Sequence, residues 1–482
     1  MTLNDSRNPT MVMDLYELTM SYGYFKTCSP NINVVYDVFY RKNPDNGGYA
    51  IACGLEQIID YIENLHFDES DIRYLRSLNL FDTSFLAYLK DFSFKGNLYA
   101  FPEGTIIYPN EPIITVIAPL IDAQIIETSL LLHFNHQSLI ATKASRIVRA
   151  ANGRPVSDMG ARRAHNMDAA TYGARAAYIG GVTNTATLLA GKMFGIPTVG
   201  TMAHSWIMGF SSEFEAFKKY AQIYPDNTVL LVDTYNVLKS GLPNAIKTAK
   251  EILAPIGKRL KAIRIDSGDL AYLSKRSREI LDKAGLTDCH IIVSNSLDEY
   301  TITSLLTQES AIDSFGVGER MITSKDTPVF GAVYKLAAIN ENGTFIPKIK
   351  ISENPEKITN PGLKQVYRIF NNEGYAVADL IAKYDEHLDF SNPVPYIDPQ
   401  NPWKQDVFTD CQAVPLQIPI FKNGKRIYSL PSLESIRNYT MNQLNHKVWP
   451  EELRFRYPHQ HYLAMTPSYY QMKMALLNTN NE

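Results

Sequence analysis

Seven short apolar segments in the middle of the chain each end in residues that could do chemistry. One of them, IPTVG, is followed at once by Thr201 and three residues later by His204. If the segments are parallel strands of one α/β sheet, their carboxyl ends meet at one edge and could form a site together. Any single residue could instead be an ordinary turn former, but the whole set favours a functional site. The set comprises Asp158, Asn184, Thr201 with His204, Asp233, Asp266, Ser294 with Asn295, and Gly316 with Gly318.

The last two segments indicate a phosphate site. Ser296 and Glu299 have the S-x-x-E spacing of a capping box, which predicts a helix N-terminus at Ser294–Asn295 that offers N–H groups to an anion. In GVGER, Gly316 and Gly318 would let the backbone approach a ligand closely. GVGERM lacks the third glycine of GxGxxG, and the chain has no GxxxxGK[ST] motif. The pattern therefore predicts a sugar phosphate rather than a P-loop nucleotide.

Two further motifs carry charges suited to anions and sugars. IRIDSGD supplies Arg264, whose guanidinium suits a phosphate, and Asp266, whose carboxylate suits sugar hydroxyls or a metal. GARRAH places Arg162 and Arg163 after a glycine, and adjacent arginines suit a planar anion such as a carboxylate. The alternatives are an aspartate helix cap with a surface arginine in the first motif and a solvated charge pair in the second.

The elements that would position these residues alternate between short β-branched runs and segments of helical period. Seven such units predict an α/β fold with an irregular, TIM-like parallel barrel of about seven strands, closed or nearly closed; an open doubly wound sheet is the alternative. Before about residue 120 the pattern changes to alternating strands, and after about residue 340 it weakens. We predict an N-terminal α/β domain over 1–135, the barrel over 136–340, and a C-terminal region over 341–482 that packs on the N-terminal domain.

Composition limits the classes of function. The 482 residues are 45% hydrophobic and 20% charged, which is typical of a soluble globular protein. A net charge of -3 gives no reason to expect nucleic acid or a membrane surface as a partner. The four cysteines, Cys28, Cys53, Cys289 and Cys411, have no zinc spacing and are expected to be reduced. With no signal-peptide pattern and no apolar run of membrane-spanning length, we predict a cytoplasmic protein.

Several motifs together resemble one enzyme family. In that family's order the chain contains DLYELTMSYGYF, GARRAH, GGVTNTATLLAGKMFGIPTVGTMAHSW, VDTYN, IRIDSGDL, FGVGERMIT and KISENPEKITNPG. Between residue 13 and about residue 370 the chain is thus similar to the nicotinate phosphoribosyltransferases. The resemblance implies transfer of a phosphoribosyl group from 5-phosphoribosyl 1-diphosphate to nicotinate, giving nicotinate mononucleotide for NAD salvage. It also implies Mg2+, ATP as a hydrolysed co-substrate, and a homodimer with sites at its interface.

The resemblance assigns roles to particular residues. A first group would bind nicotinate: Tyr16, which would stack on the pyridine ring, with Arg162, Arg163, Asn184 and Thr201. A second group would bind the phosphoribosyl substrate: Arg264, Ser294, Asn295, Gly316, Gly318 and Thr359. Asp266 would contact the ribose hydroxyls, and no side chain is predicted to ligate the metal directly.

The resemblance also gives His204 a role that the residues alone do not. By pattern alone a packed core histidine is favoured, but the matching histidine of the family is phosphorylated by ATP. The resemblance therefore implies a transient phosphohistidine at His204. A ring nitrogen is a competent nucleophile when a neighbour holds its tautomer, and the predicted neighbour is Asp233. The predicted catalytic group is His204, Asp233 and Asp266.

Three other functions are consistent with parts of the pattern. Nicotinamide-using relatives carry an aspartate where this chain has Asn184. An aspartate accepts a hydrogen bond from a carboxamide, whereas Asn184 can donate one to a carboxylate, which favours the acid. A quinolinate phosphoribosyltransferase needs no ATP and would leave GTMAHS unexplained. A non-catalytic barrel that binds a sugar phosphate would not require His204, Asp266 and the arginines.

Overall fold

The computed structural model describes residues 7–27, 32–354 and 357–479, and it divides into two compact units. The first unit combines the chain up to residue 139 with the chain from residue 329 onward, and the second contains residues 140–328. The range predicted for the barrel, 136–340, extends into the strand Val333–Glu341, which belongs to the first unit. The reason is pairing, because this strand runs antiparallel to Asn33–Phe39 in the same sheet.

The first unit contains one antiparallel and one mixed sheet, with a small two-stranded ribbon. Asn33–Phe39 is central in the first sheet and buried at six of its seven positions, as expected of a strand covered on both faces. The first sheet has the order Thr344–Pro347, Val333–Glu341, Asn33–Phe39, Ile114–Pro119, Asn97–Ala100, Ile418–Lys422, Lys425–Arg426. The second has the order Gln405–Phe408, Val394–Ile397, Tyr462–Met465, Ala376–Lys383, Lys364–Phe370, Gln412–Pro415, and the ribbon pairs Ala50–Ile51 with Ile106–Ile107.

Helices flank these sheets, and the first unit's core is built largely from their apolar faces and the central strands. They are Pro9–Met11 and Pro44–Asn46, both 3-10 turns, and Leu15–Thr27, Leu55–Asn64, Glu69–Ser77, Thr83–Lys90, Leu120–Ile125, Leu433–His446 and Pro467–Thr479; Glu127–Ala150 continues into the second unit.

A parallel six-stranded sheet organises the second unit. Its order is Asn184–Thr185, Val156–Asp158, Ser314–Val317, His290–Ser294, Ala262–Ile265, Val229–Leu231. The first strand of the unit in the chain pairs with the last, through Phe315 with Val156 and Val317 with Asp158, as in a barrel and not in a doubly wound sheet. Among the described residues no pairing closes the sheet between its two edges, so a closed TIM-like barrel is not confirmed.

The helices of the second unit mostly follow its strands. They are Ala161–Arg163 and Ala254–Ile256, both 3-10; Val237–Gly241 and Ala249–Leu253, both π; and Met167–Ile179, Leu188–Phe194, His204–Met208, Glu213–Ile223, Leu242–Thr248, Leu270–Lys283, Glu299–Thr307 and Glu319–Ile322.

Two predicted strands are much shorter than expected. YIGGVTN was wrong as a strand, because the helix Met167–Ile179 includes its first two residues and only Asn184–Thr185 pairs in the sheet. The helix ends at a glycine pair, of which Gly181 has φ 105°, a left-handed conformation that a helix cannot continue. In IPTVGT only Thr198 contributes, through one parallel bridge to Thr185. The other five runs form strands as predicted.

Cys53, Cys289 and Cys411 are free thiols, and Cys28 lies outside the described residues. Within the described chain, no helix combines the length and apolar character needed to cross a membrane.

Candidate active site

Carboxylates follow two neighbouring strands of the second unit. The strand Ala262–Ile265 runs parallel to Val229–Leu231, so Asp266 and Asp233 leave the same edge of the sheet. Oδ2 of Asp233 accepts hydrogen bonds from the backbone N–H of Asp266 at 2.9 Å and from Oγ of Ser267 at 2.6 Å. Its Oδ1 is buried and has no partner among the described residues. Asp233 therefore connects two strand ends, and one of its oxygens remains available to a ligand.

Asp266 connects this edge to the next strand and to the histidine. Ser294, the last residue of His290–Ser294, donates a hydrogen bond to Oδ1 of Asp266. Oδ2 of the same carboxylate lies 4.0 Å from Nε2 of His204. The side chains of His204 and Asp266 are 41% and 36% exposed, whereas Ser294 is 5% exposed. The buried serine therefore fixes a carboxylate whose second oxygen is accessible.

The ring of His204 is held by a hydroxyl group. His204 is the first residue of the helix His204–Met208, and its Nδ1 lies 3.0 Å from Oγ1 of Thr234. This corrects the predicted neighbour, since Thr234 and not Asp233 contacts the ring. The hydrogen bonds of Asp233 go to the backbone of the neighbouring strand end and to Ser267 instead. The ring is thereby oriented with Nε2 towards Asp266.

Arg264 is a partly buried cation at the same edge, not the surface arginine of the alternative reading. Its Nη1 donates to Oγ1 of Thr201 at 2.9 Å, while its Nε is buried without a partner among the described residues. Burial lowers the pKa of Arg264, the charges of Asp266 and Asp233 raise it, and the charge of Arg162 lowers it. Because its charge affects the pKa of Arg264, Arg162 lies close enough to this sheet edge to act on it electrostatically.

The two arginines of GARRAH differ in their surroundings. Both lie exposed in the short 3-10 helix Ala161–Arg163. Nε of Arg163 lies 3.9 Å from Oε2 of Glu319, whereas Arg162 has no ion pair in the part of the chain that the structure describes. Of the two, Arg162 is the one that remains available to an anion.

The helix after Ser294 begins later than predicted. Asp298 is its N-cap and accepts from the backbone N–H of Thr301 at 2.7 Å, so the predicted capping box of Ser296 and Glu299 was wrong. Glu299 is fully buried and lies 3.0 Å from Nζ of Lys143. Because its carboxylate contacts the buried cations Lys143 and Arg146, the Glu299 side chain does not complete a capping box with Ser296.

The loop that follows Ser294 has an unusual backbone. Asn295 and Ser296 have φ values of 99° and 49°, in a region that non-glycine residues rarely adopt. Backbone strain of this kind is concentrated at ligand sites, where the surrounding structure maintains it. The strained backbone of Asn295, and not a helix N-terminus, therefore supports this loop as a candidate phosphate site.

The glycines of GVGER are explained by packing. A Cβ on Gly316 would lie 2.6 Å from Sδ of Met159, and one on Gly318 would lie 3.2 Å from the carbonyl oxygen of Met159. Both glycines therefore make room for Met159, at the turn that leads to GARRAH. These contacts account for the missing side chains, and the contact of Gly316 and Gly318 with a phosphoribosyl group stays a prediction.

Three further predicted residues have different environments. Oδ1 of Asn184 is buried and lacks a partner among the described residues. Tyr16 and Thr359 belong to the first unit. Tyr16 is 44% exposed on the helix Leu15–Thr27, and Thr359 is 3% exposed with its Oγ1 accepting from the backbone N–H of Lys350 at 3.2 Å.

The residues present fit a metal ion that a substrate brings with it. In the described ranges no group of three or more His, Cys, Asp or Glu side chains could hold a metal. Asp233 and Asp266 nevertheless offer carboxylate oxygens, one of them without a partner. Mg2+ is commonly bound by one or two carboxylates together with substrate phosphates. The donor set therefore suits Mg2+ on a diphosphate.

Sequence reasoning gave Thr234 no role in the site and named Ser267 only as a polar residue of IRIDSGD, without its contact to Asp233. Each is a hydroxyl residue that directly follows a strand-end aspartate, in Asp233–Thr234 and Asp266–Ser267. The repeated Asp-hydroxyl pair was the available signal. Asp269, in contrast, is the N-cap of Leu270–Lys283 and accepts from the N–H of Tyr272 at 3.0 Å, as the alternative reading held.

Comparison with known proteins covers nearly the whole chain. The family model for the nicotinate phosphoribosyltransferase N-terminal domain matches residues 11–135, that for the family itself matches 155–374, and that for the C-terminal domain matches 363–473. The chain is 43% identical to the nicotinate phosphoribosyltransferase of Bacillus subtilis over 96% of this chain and 94% of that protein. It is 40% identical to one of Mycobacterium tuberculosis over 92% and 88%.

Solved structures agree with these relatives. The crystal structure of human nicotinic acid phosphoribosyltransferase superposes with a TM-score of 0.85 at 26% identity, covering 98% of this chain and 100% of that one. A nicotinate-nucleotide pyrophosphorylase from Pyrococcus furiosus gives 0.70 at 26% identity, covering 92% and 97%. A mixed α/β fold with these polar strand ends and these relatives is a phosphoribosyltransferase by class. Within that class, the chain belongs to the nicotinate phosphoribosyltransferase family.

Proposed function

We propose that the chain joins nicotinate to the phosphoribosyl group of 5-phosphoribosyl 1-diphosphate, releasing diphosphate and forming nicotinate mononucleotide for NAD salvage. ATP and water would be consumed, giving ADP and phosphate. The observation that supports this best is the contact series Thr234, His204, Asp266 and Ser294 at one sheet edge. Beside it, Asp233, Arg264 and Asn184 each have a buried polar atom without a partner among the described residues.

The edge suits the charges that develop in this reaction. As diphosphate leaves C1, the ribose gains positive charge and the leaving group gains negative charge. Asp266, fixed by Ser294, would accept hydrogen bonds from the ribose hydroxyls close to the positive centre. Arg264 would face the anionic groups, and Asn295 and its strained loop would bind the 5-phosphate. When bound, Mg2+ would neutralise part of the diphosphate charge.

His204 would be phosphorylated by ATP. Thr234 can accept a hydrogen bond from Nδ1–H, which fixes the tautomer in which Nε2 carries the lone pair. Nε2 would attack the γ-phosphorus, the bond from phosphorus to the ADP oxygen would break, and the N–P bond would form. Water would later cleave that bond to release phosphate. The added negative charge beside the substrates would favour the productive state.

The remaining substrate contacts would involve both exposed and buried groups: Arg162, Arg163 and Tyr16 are exposed, whereas Thr359 and Oδ1 of Asn184 are buried. Arg162 would bind the nicotinate carboxylate, and Arg163, Thr201 and Asn184 would complete the nicotinate site. Tyr16 would stack on the pyridine ring and Thr359 would contact the phosphoribosyl substrate. We further propose a cytoplasmic homodimer with sites at its interface, and an irregular barrel as the form of the second unit.

Initial rates of mononucleotide formation test the proposal. The protein is incubated with 5-phosphoribosyl 1-diphosphate and Mg2+, with nicotinate or nicotinamide, each with and without ATP. Nicotinate turnover that ATP increases is the expected result. Preference for nicotinamide would overturn the assignment of Asn184 to a carboxylate, and no turnover with either base would favour a non-catalytic binding protein.

A further inference from the structure

A polar cavity lies within the first unit. It has a volume of about 780 Å³ and is lined by the strand Asn33–Phe39, several loops and the C-terminal helix Pro467–Thr479. Its lining includes four lysine or arginine side chains, Arg41, Lys42, Lys364 and Lys473, but a single carboxylate, Asp37. The lining therefore contains more cationic than anionic side chains.

The single carboxylate is already committed to one of the lysines. Asp37 and Lys364 are 4% and 1% exposed and form an ion pair, and Lys364 also donates to the carbonyl oxygen of Gly362 at 2.8 Å. The other oxygen of Asp37 accepts from Oγ1 of Thr115 at 2.7 Å. Asp37 is thus saturated and cannot neutralise a second lysine.

Lys473 is the second lysine. Its Nζ donates one hydrogen bond, to Oδ1 of Asn360 at 2.7 Å, and it has no ion pair among the described residues. Burial, together with the charge of Lys364, lowers the pKa of Lys473 to about 8. Two of its three N–H donors therefore remain for an acceptor that the chain does not supply.

His461 lines the cavity but is engaged elsewhere. Its Nδ1 lies 2.9 Å from Oε1 of Glu452, its Nε2 lies 3.7 Å from Oδ2 of Asp379, and its ring stacks on Tyr108. The ring is held from all of these sides, so it cannot be the group that receives a ligand in the cavity.

The cavity is separate from the predicted phosphoribosyl contact at Thr359. Ile358 and Asn360 line the cavity, whereas Thr359 between them is buried and bonded to the backbone N–H of Lys350. A ligand in the cavity would contact a different face of this segment from the one that presents Thr359.

We infer that this cavity binds a small organic phosphate, with Lys473 as the principal phosphate ligand. Ammonium groups bind phosphate as point charges, and a phosphate monoester carries roughly -1.5 to -2 charge at neutral pH. Asn360 orients the Lys473 ammonium, and Arg41 and Lys42 add positive potential. Phe39, Leu463 and Leu477 provide apolar surface for the organic part of the ligand. Sites of roughly 300–1,000 Å³ with few convergent polar groups are typical of small-molecule binding.

Paired aldehyde probes test this inference on the intact chain. Pyridoxal 5'-phosphate and pyridoxal each form an imine with an unprotonated lysine, releasing water, and borohydride reduces that imine to a stable amine. At pH 8 both probes are applied at low concentration, and labelled peptides are mapped by mass spectrometry. Because the two probes differ in their phosphate, a reactive amine alone would favour neither. Lys425, exposed on the strand Lys425–Arg426, serves as the matched control.

The expected result is that inorganic phosphate lowers the labelling of Lys473 by either probe at least tenfold, because an ammonium that holds a phosphate cannot form an imine, while labelling of Lys425 stays the same. Labelling of Lys473 that inorganic phosphate does not change, or no labelling there while Lys425 reacts, would overturn the inference.

Direct binding gives a second, independent readout. In equilibrium dialysis with inorganic phosphate, wild type and Lys425→Met should bind about one more phosphate per chain than Lys473→Met, and Lys473→Arg should retain most of the difference. Nicotinate turnover should be unchanged in all three variants, which separates this site from the proposed reaction. Identical phosphate binding by Lys473→Met and wild type would refute the site even if the reaction is confirmed.

Discussion

Nδ1 of His204 lies 3.0 Å from Oγ1 of Thr234, a residue 30 positions later in the chain. This contact orients the imidazole so that Nε2 faces Oδ2 of Asp266 at 4.0 Å. The hydroxyl group can accept a hydrogen bond from Nδ1–H, which leaves the lone pair of the ring on Nε2 at the accessible edge. Substitution of Thr234 therefore tests the mechanism as directly as substitution of His204 does.

Removal of the imidazole should uncouple the reaction from ATP. We expect His204→Ala to retain slow, ATP-independent formation of nicotinate mononucleotide and to lose its stimulation by ATP, because no nitrogen remains to accept the γ-phosphate. Initial rates with and without ATP measure this. Full stimulation in the variant would refute the phosphohistidine role.

Loss of the Thr234 hydroxyl should weaken the same step without removing it. Thr234→Val keeps the shape of the side chain but leaves Nδ1 without a partner, at a cost of about 1 kcal/mol or roughly fivefold in rate. We expect the ATP-stimulated kcat to fall while the KM for nicotinate stays constant, and Thr234→Ser to restore it. If Thr234 had only a structural role, both variants would show a lower unfolding midpoint and no selective fall in kcat at constant KM.

Arg162 should contribute to nicotinate recognition and not to folding. Because its side chain is exposed and has no ion pair among the described residues, Arg162→Ala should leave the urea midpoint unchanged. The kcat/KM for nicotinate should fall by at least tenfold, corresponding to about 1.4 kcal/mol of lost binding in the transition state. An unchanged kcat/KM would remove Arg162 from the site, and Lys275→Ala is a control for a simple change in surface charge.

The first unit should depend strongly on a buried ion pair. Nε and Nη2 of Arg368 donate to the two oxygens of Asp379 at 2.9 and 2.7 Å, and both side chains are at most 4% exposed. Arg368→Met would remove the guanidinium partner of the buried Asp379 carboxylate, which should lower the free energy of unfolding by about 3–5 kcal/mol. Urea denaturation measures the loss. Arg259→Met breaks an exposed pair with Asp288 and should leave the midpoint almost unchanged.

Glu17 should make stability depend on pH. The pKa of Glu17 is raised from 4.5 to about 7, chiefly by burial and also by the charge of Glu127, whereas hydrogen bonds from Thr128 and Asp14 oppose the shift. Between these pH values the native state keeps a proton that the unfolded state has lost, so stability should fall as pH rises through this window. Glu17→Gln should flatten that part of the curve. The exposed Glu373→Gln should not, and an equal change in both variants would contradict the prediction.

Much of the site was accessible from the sequence because strand ends are local features. A β-branched run that stops at an aspartate or an asparagine identifies both the strand and its polar end, and five of the seven runs form strands. The two shortened strands failed for a local reason as well. Around Gly181 the helical pattern of Met167–Ile179 continues into residues that read equally well as a strand. Periodicity cannot separate the two when a run is short.

The errors in the candidate site concern pairs of side chains that are distant in the chain. Asp233 was the expected partner of His204, but parallel pairing of its strand with Ala262–Ile265 turns its hydrogen bonds towards the Asp266 loop. Glu299 had the spacing of a capping residue, but the tertiary fold surrounds it with buried cations. At Gly316 the fold adds a packing contact with Met159 that the sequence does not show, while the ligand contact stays a prediction.

The sequence by itself determined the family, the alternation of strands and helices in the second unit, and the residues at the strand ends. These properties depend on local order, which hydrophobic periodicity and motif spacing record. Only the tertiary structure decided that Thr234 holds His204, that Ser294 fixes Asp266, and that Lys473 remains without a counter-charge in its cavity. Those contacts depend on which strands pair and at what register, and a hydrogen bond forms only when that pairing brings two atoms to about 3 Å.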